Sequence, residues 1–367
     1  ILVFNLEFAI VLMEQGVSPE NITFLTDCTE KVVFAEHLGV AVMLEDFKKI
    51  IDEKRDLGKF DVVVGNPPYN DAKDKSCNTR SIYPEFVNIA HNVSESLVLF
   101  ITPSRWFTAT SHDAHKTKMI HSYGLKYLKQ ISDNKLFDDT DIKGGLCYFI
   151  LEKGYKGNVE YDYNGDIQFR DLSKYDFVLE NPIYDSIVNK IVDKFNSSEL
   201  SSISSLYHRN GHVNSNDVKL HPNMAVGDIK CILSYQNYAF IAQNEINPES
   251  TFLNSFCAIT PVAQGKQYSI ITDFVLIPKG EISSASFIVF DFQTEREAKQ
   301  FINFINLPLN KFLISLKKST QNVTSTCFSL IPNIYLNIQS SQDLYQYFNL
   351  TQEEIDLIES VVGESKE

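Results

Sequence analysis

The chain has 367 residues, of which 44% are hydrophobic and 22% charged, and this composition is typical of a soluble globular protein with more than one domain. Its formal net charge of -14 argues against a protein that coats nucleic acid without regard to sequence, although binding through a local basic cleft stays open. The longest apolar run, 1–13, contains Asn5 and Glu7 and is too short to cross a bilayer, so we interpret it as a buried helix.

The six cysteines stand singly along the chain, and no two of them have the close spacing that a zinc site requires. We therefore expect reduced cysteines and no bound metal. This pattern favours a cytoplasmic protein over a secreted one.

Strand-like and helix-like segments alternate through the first part of the chain. Helical patterns cover 6–15, 31–37, 47–54 and 83–93, and strand-like runs cover 21–26, 40–44, 60–64, 96–102, 126–131 and 146–152. Alternation at this pace predicts an α/β fold, with a parallel sheet and helices on both of its faces. The Lys153-Gly154 pair and the polar stretch after it mark a boundary, so we predict a first domain at 1–154 and a second at 155–367.

The second domain has a different pattern, with fewer and shorter strands. Helices are predicted at 184–195, 295–306, 310–316 and 351–362, and strands at 252–259, 268–277 and 285–290. The last helix begins with Thr351 and Glu354, which fit a capping box. We therefore predict a mixed α+β domain with C-terminal helices.

The most informative segment is the strand and turn at 61–69, DVVVGNPPY. Pro67 and Pro68 stiffen the turn and remove two amide donors, which leaves its carbonyl oxygens free to accept hydrogen bonds. A planar amine that approaches the turn would meet the side-chain oxygen of Asn66 and the carbonyl of Pro67 together, and Tyr69 can stack on its ring. The alternative is a surface turn in which Asn66 caps a helix and the prolines end a strand.

On this segment the chain resembles the amino-methyltransferase superfamily, and more closely the adenine-N6 DNA methyltransferases of bacterial restriction-modification systems, whose catalytic motif is NPPY. The resemblance implies a Rossmann-like methyltransferase sheet with helices on both faces. It also implies S-adenosyl-L-methionine as the cofactor, double-stranded DNA as the substrate and a cognate restriction endonuclease as a possible further partner.

Three upstream residues match the family's cofactor site, which Asn66 would border. Asp27 follows a predicted strand, where the family places the acidic residue that binds the ribose hydroxyls. Asp46 and Phe47 resemble the family's Asp-Phe pair, whose carboxylate meets the cofactor adenine and whose ring packs on it. The alternative is that Asp27 and Asp46 cap the helices that follow them, with Phe47 in the core.

Two further residues match segments downstream of the motif. Phe137 lies where the family places the aromatic residue that stacks on the target base, so Tyr69 and Phe137 would clamp a flipped adenine. Arg105 follows the 96–102 strand and would contact a DNA phosphate, or else form a structural salt bridge.

The resemblance extends to 290–359, which looks like the C-terminal region that recognises the target in restriction-system methyltransferases. There Lys317, Lys318, Gln321 and Asn322 would form a basic and polar patch that reaches phosphates and base edges. The alternative is a solvated helix end, where lysines favour the helix C-terminus.

The family's glycine-rich cofactor loop is absent, because Gly16 is isolated and no Gly-x-Gly precedes Asp27. Since 6–15 looks like the helix after that loop, we expect the first strand and its loop to precede Ile1.

Two other functions stay open: a DNA-binding recognition subunit without catalysis, and a methyltransferase that acts on RNA or on a protein glutamine. The long extension after the last strand of the first domain favours a large polymeric target.

Overall fold

The structure is a computed structural model that describes residues 1–53, 55–70, 80–131, 145–208, 213–214, 218–246, 252–266 and 268–364. The chain divides into two compact units, Ile1–Glu180 and Asn181–Glu367. The predicted boundary after residue 154 is therefore too early. Two more strands, described below, continue the first sheet beyond that point.

The first unit alternates strands and helices, as the sequence pattern predicts. Its elements are β1 (Leu2–Val3), α1 (Leu6–Glu14), β2 (Thr23–Thr26), α2 (Thr29–His37), β3 (Ala41–Leu44), α3 (Phe47–Glu53), β4 (Phe60–Gly65), α4 (Tyr83–Val93), β5 (Ser94–Pro103), α5 (Asp113–His121), β6 (Leu125–Ile131), β7 (Leu146–Glu152), β8 (Val159–Tyr163) and β9 (Asp166–Arg170).

These strands form one nine-stranded sheet in the order β3-β2-β1-β4-β5-β7-β6-β8-β9. From β3 to β5 all neighbours are parallel, whereas β7 is antiparallel to both β5 and β6. The chain moves outward from β1 through β2 to β3 and then returns to β4 on the other side of β1. The point between β1 and β4 is thus a topological switch point, where open α/β sheets bind ligands at the carboxyl ends of their strands.

Both faces of the sheet are covered by helices, which confirms the predicted α/β class. One core contains Ala9 of α1 and Ala35 of α2. The other contains Ile50 of α3, Phe86 of α4 and Met119 of α5. The two helices before β3 therefore pack on one face, and the three that follow pack on the other.

The strand that we expected before Ile1 lies within the chain. Leu2 pairs with Thr23 of β2 and Val63 of β4, so β1 occupies the central position of the parallel part. The interpretation of 1–13 as one helix is also wrong, since only α1 is helical there. A strand of two residues is too short to show its period inside an apolar run. Phe4 and Asn5 alone connect β1 to α1.

The end of β1 lies very close to the end of β4. A Cβ atom on Gly65 would lie 2.6 Å from the Cβ atom of Phe4, which leaves no room for any residue but glycine. The Phe4 amide donates to the carbonyl of Val64 at 3.0 Å, and the Phe4 ring packs edge-on against Phe86 and Phe100. The last residues of β4 are therefore fixed against β1.

The second unit is a mixed α+β domain, as predicted. Its elements are α6 (Asp185–Ser198), β10 (Asp228–Ser234), β11 (Asn237–Ala242), β12 (Phe256–Pro261), β13 (Val275–Ile277), β14 (Glu281–Ser283), β15 (Phe287–Phe292), α7 (Glu295–Ile305), α8 (Pro308–Lys317), α9 (Ser341–Tyr347) and α10 (Gln352–Glu364).

The strands of this unit form two three-stranded sheets, β11-β10-β14 and β13-β12-β15. The predicted capping box at α10 is confirmed, because Thr351 and Glu354 each accept the backbone amide of the other. Among the described residues, no helix combines the length and the apolar character that a bilayer crossing would need.

Replacing Gly65 with Ala should destabilise the first unit by about 2 kcal/mol, because the added methyl group must displace Phe4 or the end of β4. Trp106 is the single tryptophan of the chain and is fully buried in this unit, so its fluorescence in a urea titration reports on the first unit. Ser96→Ala is the control, since Ser96 is an exposed position of β5 in the same unit. An unchanged midpoint for Gly65→Ala would contradict the close approach.

Candidate active site

The turn after β4 presents a buried acceptor at the switch point. Asn66, Pro67 and Pro68 follow Gly65 directly, and the amide of Asn66 donates to Oδ1 of Asn5 at 2.7 Å. The side-chain oxygen of Asn66 is itself buried and makes no hydrogen bond of normal geometry among the described residues, although the Asn66 side chain lies near enough to the Tyr69 hydroxyl to lower the pKa of that phenol slightly against the effect of burial. A buried carbonyl oxygen without a donor is costly, and such atoms often mark a place where a ligand supplies the donor.

The far end of the turn is held by the segment before α4. The carbonyl of Tyr69 accepts from the amide of Ile82 at 2.9 Å and from the hydroxyl of Ser81 at 3.4 Å. The Tyr69 ring packs edge-on against Tyr83, with 6.5 Å between ring centroids. Burial is the main cause that raises the pKa of Tyr69, so its phenol stays protonated at neutral pH.

A cavity of about 240 Å³ opens beside this turn. Its lining brings together the three residues that the sequence assigned to the cofactor, Asp27, Asp46 and Phe47, with Pro68 of the turn. The other lining residues are Lys48, Ile51, Asp52, Asn70, Arg80 and Ile82. Asp27 follows β2, Asp46 and Phe47 follow β3, and Pro68 follows β4. Residues after three strands of the parallel part, with β1 between β2 and β4, therefore line one cavity.

The structure also tests the capping interpretations. Oδ1 of Asp46 accepts from the amides of Lys48 and Lys49 at 2.8 and 3.4 Å, so Asp46 does cap α3. A carboxylate has a second oxygen, and capping therefore does not exclude a contact with a ligand in the cavity. Among the described residues, Asp27 accepts no comparable hydrogen bond. The N-cap of α2 is Cys28, and no side chain caps this helix.

Phe47 is half-buried and packs edge-on against Phe86 at 5.3 Å between centroids. The ring therefore packs on the core and also lines the cavity, so its core position does not exclude a contact with the cofactor.

Arg105 lies in the turn after β5, at the same edge of the sheet as Asn66. Burial, and then the nearby Arg105 guanidinium, lower the pKa of His112. This places Arg105 beside His112 but does not decide between a DNA contact and a structural salt bridge. Phe137 lies outside the described residues, so its stacking role stays a prediction.

The prediction that Lys317 and Lys318 form an exposed basic patch is wrong. Lys318 is fully buried, and its ammonium group donates to the carbonyls of Gln264, Lys266 and Thr320. Lys317 is also buried and donates to the hydroxyl of Ser329 at 2.7 Å.

Gln321 and Asn322, the other two members of the predicted patch, are exposed. They alone of the four have the accessibility that a DNA contact requires.

One residue of the site was missed by the sequence analysis. Asn5 bonds to Asn66 across 61 positions of the chain, and no spacing rule links two residues so far apart. The signal that could have indicated this contact is the polar Asn5 inside an apolar run, directly before α1.

The fold and the turn define a class of protein: a doubly wound α/β domain with a buried amide acceptor beside a cavity at its switch point. Residues 20–137 match the model of the family described as Eco57I restriction-modification methylase. Over that part of the chain, the match confirms the resemblance inferred from the NPPY motif.

A curated protein of Mycoplasma pneumoniae (strain ATCC 29342 / M129 / Subtype 1), described as an uncharacterized adenine-specific methylase, is 28% identical over 165 residues. The match covers 39% of this chain and 39% of that protein, so the chain spans well under half the length of the relative that it matches.

Two solved structures align with nearly the whole chain. The type IIL restriction-modification enzyme MmeI in complex with DNA is 9% identical with a TM-score of 0.49, and the alignment covers 95% of this chain and 64% of that chain. The type IIG restriction endonuclease BpuSI is 10% identical with a TM-score of 0.39, and the alignment covers 100% of this chain and 63% of that chain. With such scores, neither superposition assigns a residue or an activity here.

Lys318→Met should destabilise the second unit by about 3 kcal/mol, because three carbonyl oxygens lose a buried donor. Calorimetric unfolding of the full chain measures the effect. Lys266→Met is the matched control, since Lys266 is exposed and its backbone carbonyl is unchanged by the substitution. A melting temperature equal to that of the wild type for Lys318→Met would argue against the buried network.

Proposed function

We propose that this chain is the catalytic and target-recognition part of a DNA methyltransferase that moves a methyl group from S-adenosyl-L-methionine to N6 of adenine. The observation that carries the proposal is the buried, unpartnered oxygen of Asn66 on a proline-stiffened turn beside the switch-point cavity. An exocyclic amine is the donor that such an acceptor needs.

The turn offers an adenine amine two acceptors, Oδ1 of Asn66 and the carbonyl of Pro67. An aromatic amine is a weak nucleophile because its lone pair is spread into the ring. Two hydrogen bonds from its N–H groups favour a pyramidal nitrogen, whose lone pair can attack the methyl carbon. Since these bonds strengthen as the nitrogen changes shape, they act mainly in the transition state.

The cavity fits the nucleoside half of the cofactor. Asp27 would bind the ribose hydroxyls, the Asp46 carboxylate would accept from the adenine amine, and Phe47 would pack on the adenine ring. The cofactor supplies an electrophilic methyl group on a sulfonium. The connection of Phe4 and Asn5 between β1 and α1 contains no glycine, so in this chain the fit is to the nucleoside half.

Adenine in double-stranded DNA is the substrate that the comparisons favour. The family that matches 20–137 is described as a restriction-modification methylase, and the Mycoplasma protein is described as adenine-specific. We propose that Tyr69 and Phe137 clamp the flipped base, and that Arg105 contacts a phosphate. A restriction endonuclease would be the cellular partner, and the protein would act in the bacterial cytoplasm.

The second unit would recognise the target sequence, with Gln321 and Asn322 as the exposed members of the predicted patch. Amide side chains read adenine edges in the major groove. Because the chain carries a net charge of -14, its affinity for DNA should be modest and should fall steeply with salt.

Asn66→Ala should lower methyl transfer to DNA by more than about 1,000-fold while DNA binding stays unchanged, because the lost acceptor acts in the transition state. The assay uses the full-length protein, labelled cofactor and phage DNA that carries no methylation. Asn92→Ala, an exposed asparagine of the same unit, is the control. Turnover of Asn66→Ala within tenfold of the wild type, or label that appears only in RNA or protein, would contradict the proposal.

Asp46→Asn should weaken cofactor binding about tenfold, because a charge-assisted hydrogen bond to the adenine amine is lost. The asparagine oxygen still caps α3, so the variant separates capping from ligand contact. Calorimetric titration with the cofactor measures affinity, and the urea midpoint from Trp106 fluorescence checks stability. Unchanged affinity would remove Asp46 from the cofactor site.

A further inference from the structure

The side chain of Asn5 does not form the helix-capping hydrogen bond that its position favours. Asn5 is the N-cap of α1, with the extended backbone (φ -135, ψ 134) that lets an asparagine accept from the amides of its own helix. It makes no such bond. Its Oδ1 instead accepts the amide of Asn66, 61 positions away, at 2.7 Å. Asn5 therefore serves the turn rather than the helix.

The bond from Asn5 holds the one main-chain donor of the turn. Pro67 and Pro68 have no amide hydrogen, so the amide of Asn66 is the only N–H between Gly65 and Tyr69. At the far end, the carbonyl of Tyr69 accepts from the next segment of the chain. Hydrogen bonds therefore hold the turn at both ends. The bond to Asn5 is at the end that carries the acceptor oxygen of Asn66.

Asn5 is itself carried by a rigid element. The residue before it, Phe4, bonds to Val64 through its amide and packs its ring against two buried phenylalanines. The close approach of Phe4 to Gly65 fixes the distance between the two strand ends. The position of the Asn5 side-chain oxygen is therefore fixed by the packing of Phe4, and the oxygen in turn fixes the position of the Asn66 amide.

We propose that Asn5 is a positioning residue for Asn66: it fixes the backbone from which the acceptor oxygen reaches the substrate amine. This inference rests on the proposed methyl transfer. Misplacing a reacting group by about 1 Å costs on the order of 100-fold in rate. Losing the Asn5 bond should therefore lower the rate of the chemical step and leave the binding of cofactor and DNA almost unchanged.

Asn5→Ala in the full-length protein should lower kcat for methyl transfer to unmethylated phage DNA by about 10- to 100-fold, with KM for the cofactor within about threefold. Asn5→Asp keeps an oxygen at the same place and should recover most of the loss. Asn21→Ala, an exposed asparagine of the same unit, is the matched control. Because Asn5 does not cap α1, the urea midpoint of Asn5→Ala should stay close to that of the wild type.

Hydrogen exchange gives a second readout that does not need activity. The segment 66–68 contains a single exchangeable amide, that of Asn66, so its protection reports directly on the bond to Asn5. Asn5→Ala should raise the exchange rate of that amide at least tenfold, and Asn5→Asp should restore the protection.

The outcomes separate this inference from the proposed function. An active wild type with an Asn5→Ala kcat within twofold, or with unchanged exchange at Asn66, would overturn the role of Asn5 and leave the proposed function intact. A lower kcat that Asn5→Asp does not recover, accompanied by a lower urea midpoint, would also overturn it in favour of a structural role. A wild type that transfers no methyl group to DNA would overturn both.

Discussion

The candidate site depends on a single amide. Two consecutive prolines leave the turn after β4 with one main-chain donor, and that donor is bound by the side chain of Asn5 at the end of β1. The order of the strands makes this contact possible. Because β1 lies between β2 and β4 in parallel register, with Val3 opposite Val64, the residues that follow these two strands must meet.

The predicted cofactor residues that the structure brings together lie just after the ends of strands. Asp27, Asp46 and Pro68 each follow a short apolar run, and in a parallel sheet the carboxyl ends of neighbouring strands share one edge. Local sequence therefore sufficed to place these residues around one cavity. The contact between Asn5 and Asn66 could not be predicted in this way, because it depends on which strand lies beside β4.

The second unit shows a different limit of sequence reasoning. A Lys-Lys pair at a helix end is usually solvated, but every residue from Leu309 to Lys317 is buried in α8. A helix buried all round carries its polar end inside the domain, and Lys318 then bonds to carbonyls of two loops. Charge along the sequence does not distinguish this arrangement from a surface patch, whereas burial does.

The two strands beyond the predicted boundary have a practical consequence. β8 pairs with β6, and Tyr161 and Arg170 donate to the carbonyls of Glu180 and Leu179. A recombinant first domain cut at residue 154 would leave β6 as a bare, half-apolar edge, open to pairing with other chains and to aggregation. Cutting after Glu180 keeps that edge covered by the short β8–β9 hairpin, and is the better starting point for producing the domain alone.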